Sequence, residues 1–304
     1  MKLCKPSFEI IEQPTGLEGV YRQIELVGRT CYKSEDKITE DSAKPFVDRM
    51  IKSGHGAMLE HGTVYLTIPN KNVSRSLLIY KYEINPYSKV VKTDDNIYIT
   101  TNYRVIIENN WLDSLQYLCE PTEFHEKRIC VRFICDRGVS HEFVRHRVFS
   151  FAQESTRYCN YSKDKFGNEI TFIIPCWCDD IPNNLQLNTS VEVNRFVWGT
   201  SNLTNEIIEN KIVKRKVSKF TQGFLYGMIE AENIYMSLII AECKPQEARA
   251  VLPNALKTKL VMTGFISDWK HFFELRCASS AHPQARELAI PLKEEFIKKG
   301  YITE

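Results

Sequence analysis

The spacing of apolar positions changes several times along the chain, and each change marks an element. Residues 42–51, SAKPFVDRMI, place Phe46, Val47, Met50 and Ile51 at helical spacing and predict an amphipathic helix. The glycines of SGHG, Gly54 and Gly56, break it. Val64 to Ile68 then reads as a strand closed by Pro69. A second strand is expected over Arg128 to Cys135, where Ile129, Val131, Phe133 and Ile134 supply branched and aromatic side chains. Gly138 opens a short helix, VSHEFVRH. Residues 224–242, FLYGMIEAENIYMSLIIAE, are apolar on more than one face and predict a long buried helix. Pro245 starts another in PQEARAVL, since a first-turn proline forfeits no helical bond. ALKTKLVMTG alternates like a strand, DWKHFFELRCAS predicts a helix with Asp268 as its N-cap, and a last helix is expected from Pro283 to Lys299.

Two stretches interrupt this order. Residues 70–127 mix a helical run (SRSLLIYKYEI), a polar turn (KTDDN), a strand-like patch (IYITTNYRVII) and a further helix (WLDSLQYL). They read as an excursion from a core and not as a separate domain. Residues 179–204 are rich in asparagine and read as loop. The whole predicts an α+β fold, a small and mostly antiparallel sheet with a helical cluster. It forms a single domain over 1–304, with insertions at about 70–127 and 179–217.

Composition narrows the picture. The 43% of hydrophobic residues among 304 suffices for a sizeable core, and no run of about 18 apolar residues suggests a membrane span. The start, MKLCKPSFEIIEQ, lacks the apolar centre of a signal peptide, so cytoplasmic residence is expected. A net charge of +2 is close to neutral, so anion binding must come from local clusters, and a nucleic-acid-binding role is disfavoured. The ten cysteines are scattered and read as reduced. Cys176 and Cys178 in PCWC are one residue apart, unlike a zinc pair, and no metal is expected.

One segment is unusually rich in donors. RHRVFSFAQESTRY, residues 145–158, sets three arginines and a histidine against Glu154, with Glu142 just upstream. Three consecutive helical residues fan through about 200°, so Arg145, His146 and Arg147 cannot serve one ligand from a continuous helix. The helix is expected to end there and the chain to loop across a pocket, where Ser150, Ser155 and Arg157 could donate to a phosphate. The plainer alternative is that the cations favour a helix C-terminus. It covers Arg145 to Arg147 and leaves residues 155–158 unexplained.

The spacing resembles the signature of flavin-dependent thymidylate synthases: Arg-His-Arg, seven residues (here VFSFAQE), then Ser155 and an Arg-Tyr pair. EARAVLP, residues 247–253, resembles a second block of that family, with Arg249 at its nucleotide-binding arginine. DWKHFFELR, residues 268–276, resembles a third, whose terminal arginine contacts the uracil ring. LEHGTVYLTI resembles a fourth, with His61 and Thr63 at flavin-contact positions. The chain departs from the pattern at Ala152-Gln153, Phe265, Ser267, His271 and Glu142, where members often carry asparagine-glutamate, asparagine, arginine, asparagine and glutamine.

The resemblance implies methylation of dUMP to dTMP. The carbon would come from 5,10-methylenetetrahydrofolate, and NADPH would reduce a bound FAD. It also implies a homotetramer with shared active sites. Carried over residue by residue, Glu142, Arg145, Gln153, Ser155, Arg157, Arg249 and Arg276 would meet dUMP. His61, Thr63, Arg145, His146, Arg147, Gln153 and His271 would meet the flavin. Arg276 would be catalytic, stabilising negative charge that develops on the uracil ring. Read without the resemblance, Arg276 is a surface ion pair with Glu274 or a neighbouring helix. A rival enzyme class, the cysteine-nucleophile thymidylate synthase, is suggested by Pro175-Cys176, but no histidine follows and no Gln-Arg-Ser motif is present.

Overall fold

The computed structural model describes residues 1–70, 76–157, 160–163, 168–198 and 217–303. Its central sheet is four-stranded and antiparallel, in the order β2 (Ser7–Ile11), β6 (Arg128–Asp136), β9 (Lys257–Phe265) and β7 (Ser150–Gln153). The register pairs Arg128 with Phe265 and Asp136 with Lys257, and brings Ser150 opposite Thr263. A second antiparallel sheet orders β3 (Thr63–Pro69), β5 (Asn96–Asn102) and β4 (Lys89–Lys92). A short parallel pair joins β1 (Lys2–Cys4) to β8 (Thr171–Ile173). The expected α+β class is what the chain adopts, divided among three sheets where one was expected.

Apolar residues alternate to both faces of the central sheet, so helices cover both. On one face Ile129, Val131, Phe133, Leu260 and Met262 pack against α6 (Arg137–Phe143), α10 (Ile266–Arg276) and α11 (Pro283–Lys298). On the other, Cys130, Ala152 and Val261 meet Val27 of α1 (Gly16–Tyr32). The sequence reading passed over that helix although Leu17, Val20, Tyr21, Ile24, Val27 and Cys31 recur at helical spacing. Gly19 is required within it, since a Cβ there would lie 1.8 Å from the Pro14 carbonyl oxygen. Val20, Tyr21 and Ile24 of α1 also reach the second sheet, together with α2 (Ala43–Lys52). Between α2 and β3 lies the single turn α3 (Gly56–Leu59).

Residues 70–127 contribute to that second core. The helical run forms α4 (Ser76–Glu83), and the strand-like patch splits into β5 and α5 (Tyr103–Glu108). The split falls at Asn102, whose side chain accepts from Val105 N–H and caps the new helix. The expected helix at WLDSLQYL is a 3₁₀ turn, Leu112–Tyr117. The stretch read as loop holds α7 (Ser190–Trp198), and the expected long helix is α8 (Lys219–Ile240), which is not buried all round: Leu225, Ile229 and Tyr235 face the core while Ile234 and Ile240 are exposed. PQEARAVL is a single α-turn, α9 (Pro245–Ala248), continued as 3₁₀. Asp268 is not the N-cap of α10. The helix starts two residues earlier, and the Asp268 carboxylate accepts from the Phe265 N–H at 2.9 Å from its third position. Among the described residues no helix is long and apolar enough to cross a membrane.

Candidate active site

The Arg-His-Arg motif sits where α6 stops. Asp136 caps the helix start, accepting from Val139 N–H at 2.8 Å, and Phe143 anchors the end in the core. Beyond it the backbone turns tightly, with His146 N–H donating to the Phe143 carbonyl and Phe149 N–H to that of His146. Arg145 and Arg147 are exposed on this turn, and neither side chain has a partner among the described residues. His146 faces inward against the Phe272 ring, 5.0 Å between centroids. The helix therefore ends as the fanning argument expects.

Arg276, the last residue of α10, closes on that turn with three hydrogen bonds. Its Nη2 donates to the Glu142 carbonyl at 2.7 Å, Nη1 to the Glu142 carboxylate at 2.8 Å, and Nε to His146 Nε2 at 2.9 Å. The guanidinium thus gives a second donor to a carbonyl at the α6 C-terminus, which also accepts from Arg145 N–H at 3.3 Å, and pairs with a carboxylate. His146 must be neutral at Nε2 to accept. Burial, with the charges of Arg276 and His271 nearby, pushes its pKa down to about 4. Of the two plainer alternatives, pairing of Arg276 with Glu274 does not occur, since Glu274 lies 3.4 Å from His271 Nδ1, but an ion pair with a neighbouring helix does, through Glu142 of α6.

A second group forms past β7. Gln153 Nε2 donates to Ser140 Oγ at 2.8 Å and lies 3.3 Å from Thr258 Oγ1. Ser155 N–H donates to the Cys31 carbonyl at 3.0 Å, and Ser155 Oγ accepts from Arg157 N–H at 3.4 Å. Arg249 reaches across from the turn after α9, its Nη1 donating to Thr156 Oγ1 at 3.0 Å. Ser155, Arg157 and Arg249 are therefore brought together. Tyr158, which closes the motif, lies outside the described residues. Helix α6 touches both groups, Ser140 holding Gln153 and Glu142 holding Arg276, but no hydrogen bond joins Arg249 to Arg276 among the described residues.

His61 and Thr63 lie on the opposite face of the sheet. His61 is fully buried, its Nδ1 2.8 Å from Thr263 Oγ1. Gln13 pins the backbone of Thr63 at both N–H and carbonyl, and buried Arg128 spans the Glu60 carbonyl, Thr63 Oγ1 and Ser150 Oγ. Burial, then the charge of Arg128, holds His61 at a pKa of about 3. A cavity of about 200 Å³ opens here, lined by Gln13, Gln23, His61, Thr63 and Arg128. Both polar atoms of the Gln23 amide and Nε2 of His61 are buried without a hydrogen-bond partner among the described residues. Of the departures at 265 and 267, the first places the Phe265 ring under the Arg128 guanidinium, its centroid 5.6 Å away; at the second the Ser267 backbone N–H donates to Glu126, a bond that does not depend on the side chain.

Sequence reasoning missed Arg128, Ser140 and Thr156, and with them Lys33 and Lys257, which grip Glu154 beside Ser155. A lone arginine opening an apolar strand was the one available signal, for Arg128. Cys176 is partly exposed, and burial and the nearby Glu287 push its thiol up. A nucleophilic thiol needs the opposite environment.

The two depressed histidines predict a pH response. Above about pH 6.5 both folded and unfolded chains hold these rings neutral. Below it the unfolded chain takes up protons that the folded one refuses until about 4 for His146 and about 3 for His61, so stability falls through that window. The unfolding free energy of a His61→Gln variant should depend less steeply on pH between 6.5 and 4 than the wild type. Parallel slopes would show that the folded ring takes up its proton as readily as the unfolded one.

A family model described as "Thymidylate synthase complementing protein" matches residues 120–299, more than half the chain and all three motif blocks around α6, α9 and α10. The chain belongs to this family. A flavin-dependent thymidylate synthase of Corynebacterium glutamicum is 22% identical over 289 residues, covering 92% of this chain and 76% of the relative. One from Pyrococcus furiosus is 30% identical over 168 residues, covering 55% of this chain and 53% of the relative, about half its length. Among solved structures, a UMP/dUMP methylase PolB from Streptomyces cacaoi bound with 5-Br UMP aligns over 98% of this chain and 92% of its own, at 13% identity and a TM-score of 0.43.

Proposed function

We propose that the chain is a flavin-dependent thymidylate synthase. It methylates dUMP to dTMP, with 5,10-methylenetetrahydrofolate as carbon donor and NADPH as reductant of a bound FAD. Beyond family membership, the observation that carries this reading is the bonding of Arg276 to Glu142 and His146, which unites two motif blocks about 130 residues apart in the chain.

The residues fit a flavin. Arg145 and Arg147 are exposed cations without partners among the described residues, suited to an anionic cofactor. His61 Nε2 and the Gln23 amide have no hydrogen-bond partner among the described residues and lie beside a cavity. These residues, with Thr63, His146, Gln153 and His271, would hold the cofactor, which when bound supplies the hydride chemistry. Ser155, Arg157 and Arg249 hold the nucleotide phosphate. Glu142, Arg145, Gln153 and Arg276 meet the rest of dUMP. Neutral His146 accepts from Arg276 Nε and keeps the guanidinium plane aimed, so that charge developing on the pyrimidine meets a preset donor.

The reading extends to a homotetramer in the cytoplasm, its sites shared between subunits. The placement of His61 and Thr63 on the face of the central sheet opposite His146 and Arg276 supports sharing. Residues 1–304 act as one catalytic unit, with 70–127 and 179–217 as insertions.

The purified protein should be yellow. NADPH should bleach its flavin band, and dTMP should form once dUMP and methylenetetrahydrofolate are supplied. A colourless protein that binds no added FAD would sink the reading. Ser155→Ala should raise the dUMP KM about tenfold without abolishing turnover, since it removes one phosphate hydrogen bond, on the order of 1.5 kcal/mol to a charged group. A trapped covalent Ser155–nucleotide adduct would contradict this role.

A further inference from the structure

Lys33 has a backbone that its residue type disfavours. It is the cap residue after α1 with φ 45°, in the left-handed region where helices most often place glycine. A lysine held in that conformation suggests that its side chain is needed. That side chain turns back toward β7, and its Nζ lies 3.0 Å from Glu154 Oε1 and 5.4 Å from the centroid of the Tyr161 ring. Glu154 is 3% exposed, and its other oxygen accepts from Lys257 Nζ at 2.7 Å. Burial pushes the Glu154 carboxyl up, but Lys257 and then Lys33 outweigh burial and hold it below the usual carboxylate range.

The backbone repeats this grip. Glu154 N–H donates to the Lys259 carbonyl on β9, and Ser155 N–H donates to the Cys31 carbonyl in the last turn of α1. The segment that begins the Ser155 to Arg157 turn is thus fastened by ion pairs and hydrogen bonds to α1 on one side and β9 on the other. Lys33 and Lys257 thus bracket the buried Glu154 carboxylate, two cations against one anion.

We infer that Lys33 is a positioning residue for the phosphate turn: acting through Glu154, it holds Ser155, Thr156 and Arg157 in the arrangement that Arg249 completes. This rests on the reading of that turn as the dUMP phosphate site. Lys33 touches no substrate atom in this role. Its contribution is to fix a loop that would otherwise be ordered at the expense of binding.

The test exploits the unusual backbone. Lys33→Gly relieves the left-handed strain and removes the side chain, so the thermal midpoint should stay level or rise while affinity for the phosphate falls. Calorimetric titration should show dUMP bound about tenfold more weakly, deoxyuridine unchanged, and inorganic phosphate weakened in the same proportion as dUMP. Lys33→Arg should restore dUMP affinity, and steady-state assays of Lys33→Gly should show a raised dUMP KM with kcat nearly unaltered. Unchanged phosphate binding in Lys33→Gly overturns the inference. So does an equal loss for dUMP and deoxyuridine, or a fall in affinity that tracks a fall in thermal midpoint. If the wild type binds phosphate but not dUMP while Lys33→Gly still weakens phosphate, the enzymatic reading fails and the positioning role stands.

Discussion

Arg276→Ala should lower dTMP formation a hundred- to a thousandfold at saturating substrates while the flavin band of the purified protein persists. The size follows from what a preset donor contributes to charge developing in a site shielded from water, about 3–4 kcal/mol. The guanidinium is already oriented by the Glu142 carbonyl, the Glu142 carboxylate and His146, so no reorganisation is needed when charge appears. Arg276→Lys should recover little, because an ammonium cannot reproduce a planar fork that meets three acceptors at once. Stability should change modestly in either variant, because α10 is anchored by Trp269, Phe272 and Phe273 and its last residue lies at the rim. Turnover within tenfold of wild type in Arg276→Ala would remove the residue from the chemistry.

Trp269→Ala should have the largest effect on stability. The indole is fully buried, packs on Phe149, Phe272 and Phe296 at centroid distances of 4.7, 5.3 and 5.3 Å, and donates from Nε1 to the Ile129 carbonyl at 3.1 Å. Truncation opens a cavity in close-packed aromatic surroundings and leaves that carbonyl short of a partner, a cost of about 3–5 kcal/mol. Against a total stability of about 5–15 kcal/mol, this should move the urea midpoint markedly downward. Trp269→Phe, which keeps the aromatic contacts and loses the N–H, should cost less than half as much. Equal losses in the two variants would assign the effect to the hydrogen bond and not to packing.

The helices read most easily were those whose apolar residues recur on the core face, as at Phe46, Val47 and Met50 of α2, or whose apolar run is long, as along α8. Helix α1 was legible in the spacing of Leu17, Val20, Tyr21, Ile24 and Val27 but was not read; what the sequence hides is that its stripe serves two cores, Val20 and Ile24 toward one sheet and Val27 toward the other. The strand-like patch at 97–107 was read as one element because branched residues continue through α5. Only the cap at Asn102 divides it, and a cap is a local bond that apolar periodicity does not show. The division of strands among separate sheets was equally hidden, since pairing β3 with β5 depends on contacts across a long intervening segment.

Local chemistry was written into the chain itself: the donor-rich run from Arg145 to Arg157, the blocks that carry Arg249 and Arg276, and the break that ends α6 at its cations. Those features depend on residue type and near-neighbour spacing, which folding does not alter. Which carboxylate faces Arg276, why His146 stays neutral, and how Lys33 and Lys257 come to flank Glu154 were decided only by tertiary packing. Those partners lie tens to hundreds of residues apart, and their charge states depend on burial that exists only after the sheets and helices have closed around them.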